Sequence, residues 1–323
     1  MKTTILLTNL GTPSSLTVKA VRRYLREFLS DPDVVQIRPR WLWRFVLNSV
    51  ILPFRSQKSL RRYQQIWTPE GSPLLAYSQK LAEALGADLG PDYQVEIGMR
   101  YGAPSIQEAL KNLDQAGVDK IIVLPLYPQS SLSTTRTTFS AVTQEISKRA
   151  NTPSLYFQAH YFSHPAYIQA LTESVVSYWA QHGQSDRLIF SFHGIPENFI
   201  KQGDLYQSEC QETVRLLAQK LNLKEGEYAL AFQSRFGKAK WVQPYLEDVL
   251  QDCVERGDVK VQILCPGFAV DCLETLEEIA MEAKKLFLQK GGLALEYVPC
   301  LNASPGHVRM LKTMVQEGER VIS

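Results

Sequence analysis

Short runs of apolar, often β-branched residues alternate along the chain with longer segments whose apolar positions recur at helical spacing. The short runs predict strands at Thr4–Thr8, Gln94–Gly98, Lys120–Leu126, Ser154–Gln158, Arg187–Phe192, Tyr228–Gln233, Lys260–Cys265 and Leu295–Val298. The longer segments predict helices at Leu16–Leu29, Gln79–Gly86, Ser105–Gln115, Thr138–Arg149, Ala166–His182, Ser208–Leu221, Val242–Arg256, Thr275–Gln289 and Pro305–Gly318. Near-continuous apolar strands alternating with helices call for an α/β fold, because a parallel sheet has helices on both faces and no wet side.

The two halves of the chain are alike. Asn9-Leu10-Gly11-Thr12-Pro13 is echoed by Phe192-His193-Gly194-Ile195-Pro196, and Met99-Arg100-Tyr101-Gly102 by Ser234-Arg235-Phe236-Gly237. Leu124-Pro125-Leu126-Tyr127-Pro128 is echoed by Leu264-Cys265-Pro266-Gly267-Phe268. The plainer account is that βα turns attract Gly and Pro. We read instead a duplication of one Rossmann-like unit, with extra sequence around residues 36–78 of the first copy. The expected domains are 1–150 and 151–304, with a C-terminal helix in 305–323 that packs back on the first. Ligands of open α/β sheets bind beyond the carboxyl ends of the strands, so two such domains facing each other would gather these turns around one cleft.

Composition narrows the classes. A single core stops growing near ~250–300 residues, so 323 residues suit two domains. With 45% hydrophobic and 21% charged residues the chain is an ordinary globular one, and a net charge of +2 gives no electrostatic footprint for nucleic acid. The five cysteines (Cys210, Cys253, Cys265, Cys272, Cys300) form no C-x-x-C pair, which points to free thiols in a reducing compartment. The N-terminus runs from Ile5-Leu6-Leu7 straight into Thr8-Asn9-Leu10 and reads as a first strand, not a signal peptide. The longest mostly apolar stretch, Phe45 to Phe54, is well short of the ~20 residues a membrane helix needs. A cytoplasmic protein is expected. Neither G-x-G-x-x-G nor G-x-x-x-x-G-K-[ST] occurs, so the usual phosphate cradles are missing, and there is no G-x-S-x-G elbow.

Three segments could carry chemistry. His193 ends an apolar strand and precedes Gly194-Ile195-Pro196, a rigid turn at the expected ligand edge. Imidazole there can bind a divalent metal or accept a proton, although a lone His more often only anchors a loop. Asp271, Glu274 and Glu278 are spaced i, i+3, i+7, which would stack them on one helical face able to hold a cation and pass protons, with Glu282 continuing outward. The same residues equally fit a capping box, Asp271-x-x-Glu274, and the acidic first turn that a helix dipole favours. The stretch from Arg38 to Tyr63 mixes Trp41, Trp43, Phe45 and Phe54 with Arg40, Arg44, Arg55, Lys58, Arg61 and Arg62. It suits a planar apolar ligand carrying carboxylates, or an anionic membrane surface, or simply an amphipathic helix pair with a basic face.

Taken together these segments resemble ferrochelatase along nearly the whole chain. The strongest pieces are Ser191-Phe192-His193-Gly194-Ile195-Pro196 with Gly203-Asp204-x-Tyr206, and Asp271-Cys272-Leu273-Glu274-Thr275-Leu276. Asn9-Leu10-Gly11-Thr12-Pro13, Arg100-Tyr101, Tyr127-Pro128-Gln129 and Gln233-Ser234-Arg235-Phe236-Gly237 support them. The resemblance implies two Rossmann-like, chelatase-like domains with a porphyrin cleft, a lip in residues 36–78, and His193 and Glu274 facing each other across the cleft as catalytic and metal-binding residues. It implies porphyrin contacts at Leu10, Arg55, Lys58, Arg100, Tyr127 and Trp241. Asp271 and Glu278 would relay protons toward solvent.

The implied reaction inserts Fe²⁺ into protoporphyrin IX with release of two protons, the last step of haem biosynthesis. Fe²⁺ enters as substrate. No permanently bound cofactor is expected. The [2Fe–2S] cluster of some relatives is not expected either, since Leu132 stands at its internal cysteine position and the cysteine-rich tail is lacking before Ser323. Cys272 replaces a His that many relatives carry. A monomer or weak dimer, with peripheral membrane contact through residues 38–62 at the inner face, completes the expectation. The rival readings are a non-catalytic tetrapyrrole carrier, a chelatase for coproporphyrin III or another metal such as cobalt, and a membrane-surface interaction protein.

Overall fold

A computed structural model describes residues 3–114, 118–150, 152–237 and 239–322. Within them each expected strand is present: β1 (Thr3–Thr12), β2 (Tyr93–Gly102), β3 (Lys120–Pro125), β4 (Ser154–Phe157), β5 (Arg187–His193), β6 (Tyr228–Gln233), β7 (Lys260–Leu264) and β8 (Ala294–Val298). They form two four-stranded sheets, ordered β2-β1-β3-β4 and β6-β5-β7-β8, with parallel pairing throughout. The middle strands bury nearly every side chain, which is why Ile121–Pro125 and Leu188–Phe192 read as near-continuous apolar runs.

The chain divides into two compact units: unit 1 is Met1–Leu126, Ser131–Ala159 and Leu311–Ser323, and unit 2 is Tyr127–Ser130 and His160–Met310. This corrects the boundary expected near residue 150. β4 pairs with β3 through Lys120↔Ser154 to Val123↔Phe157, so it belongs to the first sheet and the crossing comes after Ala159. The expected start of the second domain at Asn151, and the helix end at Gln115, lie outside the described residues. Tyr127–Ser130 joins unit 2, to which several of its polar groups are bonded. Tyr161 N donates to Pro128 O (2.9 Å), Gln129 Nε2 to Thr213 Oγ1 (3.0 Å), and Ser130 N and Oγ to the buried Glu209 carboxylate (2.6 and 2.9 Å).

The repeat seen in the sequence has a structural counterpart in each unit taken separately. The strand orders are the same permutation, and the second and sixth strands are each followed by a loop that returns a carbonyl to the strand: Met99 N to Pro104 O (2.7 Å) and Phe232 N to Pro244 O (2.8 Å). The echoing glycines also match. A Cβ on Gly11 (φ +111°) would lie 1.7 Å from Tyr101 O, and one on Gly194 would lie 2.9 Å from Gln233 O. Only glycine lets those chains run that close to the neighbouring strand.

Unit 1 packs Leu6, Ile121 and Val123 against Ile106, Leu110, Val142 and Ile146. Unit 2 packs Ile189, Ala231, Val261 and Ile263 against Leu250, Ile279, Ala283 and Phe287. The extra sequence of the first half is helical, Arg40–Val46 and Leu52–Ile66, joined by a π-helical turn Leu47–Ile51. The helix expected over Thr275–Gln289 is broken into Leu273–Leu276, a π-helical stretch Glu278–Ala283 and Lys284–Gln289. The last helix, Pro305–Ile322, contributes its first turns to unit 2 and the rest to unit 1, where Glu319 accepts from Thr3 Oγ1 (3.1 Å) and Tyr93 OH (2.7 Å). No helix among the described residues is long and apolar enough to cross a membrane.

Candidate active site

His193 is the last residue of β5, half-buried at the carboxyl edge of its sheet and opposite Gln233 of β6. Its Nδ1 is 2.6 Å from the Gly194 carbonyl oxygen. A carbonyl only accepts, so Nδ1 carries the proton and Nε2 keeps its lone pair for a metal or a proton. The turn behind it is rigid. Gly194 N donates to Gln233 O (2.8 Å), and Trp241 packs under Gly194, where an added Cβ would meet its ring at 3.2 Å.

Glu274 stands in the turn that follows β7. Both candidate residues belong to unit 2, as expected of a metal site carried by the C-terminal domain. Gln233 joins them. Its Nε2 donates to the Glu274 carbonyl (2.8 Å), and its Oε1 accepts from Ser191 Oγ (2.7 Å) and, more weakly, from Cys265 Sγ (3.7 Å). One buried amide thus ties the strand carrying His193 to the turn carrying Glu274.

The three-carboxylate helical face is also corrected. Asp271 lies before the helix, whose N-cap is Cys272, and the capping box runs Cys272–Thr275 instead of Asp271–Glu274. Cys272 N donates to Thr275 Oγ1 (3.0 Å). The reason is that Asp271 is otherwise engaged. It is 3% exposed; Oδ1 accepts from Tyr297 OH (2.5 Å), Thr275 Oγ1 (3.0 Å) and Cys300 N (3.4 Å), and Oδ2 accepts from Asn302 Nδ2 (2.7 Å). Glu274 is spared from capping and remains half-buried. The Cys272 thiol beside it is pushed up by burial, then by the charge of Glu274 and a hydrogen bond to it, so it stays a neutral thiol. Cys265 and Cys300 are likewise pushed up, chiefly by burial.

Beyond Glu274 the acidic row continues. Glu278 accepts from Ser234 Oγ (2.7 Å), and Glu278 and Glu282 line a cavity of about 390 Å³ in unit 2 with Gln233, Ser234 and Glu247. The π-helical bond Glu282 N to Glu277 O (2.9 Å) belongs to this wall. Among the described residues no group of three His, Cys, Asp or Glu side chains is arranged to hold a metal ion.

The other expected contacts fall as follows. In unit 1, Leu10 is half-buried near the end of β1, and Arg100 near the end of β2 is paired with Asp31 (2.5 Å) and lies over the Tyr101 ring at 4.5 Å. Arg55 and Lys58 sit one turn apart on Leu52–Ile66. Burial lowers the Arg55 pKa, and the like charge of Arg62 lowers it further, so a bound carboxylate would relieve both neighbours. In unit 2, Tyr127 is buried, and Trp241 is 5% exposed with its indole N donating to Phe236 O (3.1 Å). The aromatic face open beside it is Phe236, 51% exposed and 5.3 Å from Trp241. The remaining histidines serve structure: His164 caps Pro165–His182, His182 stacks on Tyr178, His160 on Phe162, and His307 bonds Asn302 O.

Sequence reasoning gave no individual role to Gln233, Phe236, Tyr297 or Asn302. Gln233 and Phe236 were signalled only as part of Gln233-Ser234-Arg235-Phe236-Gly237, where the amide ends the apolar run Tyr228-Ala229-Leu230-Ala231-Phe232. Tyr297 and Asn302 carried none, since both reach the site from β8 and the loop after it.

Comparison with known proteins shows the family and the fold. The ferrochelatase family model matches residues 2–319. A ferrochelatase of Methylococcus capsulatus is 51% identical over 96% of this chain and 94% of its own, and one of Herminiimonas arsenicoxydans is 48% identical over 98% and 86%. Among solved structures, SirB from Bacillus subtilis with Fe³⁺ superposes with a TM-score of 0.59 at 12% identity, covering 98% of this chain and 96% of that one. At that identity the likeness is one of fold, the two-domain Rossmann-like arrangement of chelatases.

Proposed function

The chain belongs to the ferrochelatase family, and we infer that His193 and Glu274 perform its metal insertion. As a metal-chelating lyase of haem synthesis it takes a porphyrin and Fe²⁺ as substrates. The reading of protoporphyrin IX as that porphyrin rests on the Asn9-Leu10-Gly11-Thr12-Pro13 start.

Insertion breaks two pyrrole N–H bonds, leaves their electron pairs in Fe–N bonds and releases two protons. His193 Nε2, with Nδ1–H held on the Gly194 carbonyl, has one lone pair, which accepts a pyrrole proton or ligates the incoming metal, one at a time. Glu274 receives the metal or the second proton from its turn. An imidazole and a carboxylate suit Fe²⁺ without the tight hold of thiolates, so the metal can be passed on. Glu278 and Glu282 carry protons or iron along the cavity wall, while Asp271, with both oxygens engaged, anchors the turn. Arg55 and Lys58 pair with the ring's propionates, and Leu10, Arg100 and Tyr127 orient it. None of these roles needs a resident cofactor. The carrier reading is not favoured, because the chain's family and its relatives are ferrochelatases.

The observation that carries this assignment is that Gln233 ties the strand ending in His193, through Ser191, to the backbone of Glu274. The test is anaerobic Fe²⁺ insertion into protoporphyrin IX followed by absorbance. His193→Ala should abolish turnover while porphyrin affinity stays within about tenfold, ~1.4 kcal/mol. Glu274→Gln should lose turnover with an unfolding midpoint close to the parent's, since Glu274 caps nothing. Near-normal turnover in either variant removes that residue from the chemistry.

A further inference from the structure

Asn302 lies in the loop after β8, outside every motif that marks the site, and it is bound to the turn of Glu274 at three points. Its Oδ1 accepts from Asp271 N (2.8 Å), its Nδ2 donates to Asp271 Oδ2 (2.7 Å), and its backbone N donates to Ala269 O (3.0 Å). Its carbonyl accepts from His307 Nδ1 (2.6 Å), a side chain with no exposed surface. The backbone of Asn302 is left-handed (φ 47°), a conformation asparagine tolerates better than most residues.

From Asp271 the bonds pass on to Thr275 Oγ1 (3.0 Å), and from there to Cys272 N (3.0 Å). The turn from Asp271 to Thr275 is thereby fixed at both ends. Within it Cys272 and Leu273 are buried, and Glu274 alone keeps a partly open side chain. Gln233 holds the Glu274 carbonyl from the sheet side. Burying the Asp271 carboxylate is costly unless every oxygen is satisfied, and Asn302 satisfies Oδ2.

We propose that Asn302 is a positioning residue for metal insertion: by clamping Asp271 it sets the direction in which Glu274 leaves the turn. Asn302 itself touches neither substrate. This rests on the reading of Glu274 as the acid of the site, and it adds the group that orients it.

Asn302→Gly separates the side-chain clamp from the backbone, because glycine keeps the left-handed conformation and loses only the amide. In the Fe²⁺ and protoporphyrin IX assay kcat should fall about tenfold to a hundredfold, and KM for Fe²⁺ should rise, as expected for a ligand displaced by a fraction of an ångström. KM for porphyrin and the absorbance spectrum of the bound ring should not change. A kcat within twofold of the parent, with only the unfolding temperature lowered, overturns the proposal. Tyr297→Phe, which removes one donor to Asp271 at constant shape, reads the same role should the glycine variant not fold. A severalfold loss of kcat at unchanged porphyrin KM supports the proposal, and unchanged kcat overturns it. Glu274→Gln measured beside them separates the two ideas: normal turnover there removes the underlying reading, whereas an inactive Glu274→Gln with a fully active Asn302→Gly removes the positioning role alone.

Discussion

Gln233 shows how much of this site is decided by groups that do no chemistry. It has one amide, two donors and an acceptor, and it commits them to Ser191 on the strand of His193 and to the backbone of Glu274. His307 is a second such residue, and it makes stability depend on pH. Burial holds its pKa down at about 4, against an ordinary value of 6.5. The folded protein therefore keeps His307 neutral where the unfolded chain protonates it. Its contribution is fully present above pH 6.5 and is lost as pH falls toward 4, a swing of about 3 kcal/mol. Urea unfolding across that range should show a shallower pH slope for His307→Gln than for the parent. Equal slopes would mean that His307 does not titrate in this way.

At the scale of elements, two of the stretches that depart from regular helix include residues proposed for function. The stretch after β7 is a helix of one turn, then a π-helical stretch, then a helix again, and its irregular part lines the cavity that holds Glu278 and Glu282. The other is the helical segment Arg40–Ile66. Trp43 faces in, its indole N donating to Leu29 O (2.7 Å), while Trp41 (71% exposed), Phe45 and Phe54 (79% exposed) face solvent. Arg40 is pinned to the carbonyls of Val35 and Ser30, which fixes the start of the helix. Large apolar groups set outward among Arg and Lys are the composition of a membrane-interface helix. The double variant Trp41→Ser/Phe54→Ser should sediment with vesicles of anionic lipid at least about tenfold less than the parent, since each large side chain transferred is worth roughly 1.5–3 kcal/mol. Equal sedimentation would confine the segment to the porphyrin.

At the scale of the molecule, one topology occurs twice, and both residues proposed for metal insertion lie in the second copy. Where unit 2 has His193 before its close-approach glycine, unit 1 has Leu10 before Gly11. The first copy thus offers an apolar side chain at the position where the second offers a base, and the extra helices of residues 36–78 belong to that first copy. Specificity and insertion are separable on this view. Protoporphyrin IX should be metallated with higher kcat/KM than coproporphyrin III by the intact protein, read by absorbance at matched Fe²⁺. A preference for the tetracarboxylate would reverse the assignment of substrate.

Strands, their order along the chain and the repeat were legible in the sequence, and so were His193 and Glu274 as candidates, because each depends on residues that are neighbours in it. Apolar runs of Val, Ile and Leu specify buried strands wherever they occur, and Gly11 and Gly194 answer a local need for close approach. What the tertiary structure decided was how those pieces meet. Pairing put β4 in the first sheet, and the contacts of Tyr127–Ser130 moved that segment to unit 2. It shifted the cap from Asp271 to Cys272, because donors from Tyr297 and Asn302, distant in sequence, had already taken the carboxylate. Local pattern reports what a segment can bury; which hydrogen-bond partner a buried polar group finds is a long-range choice that no local pattern records.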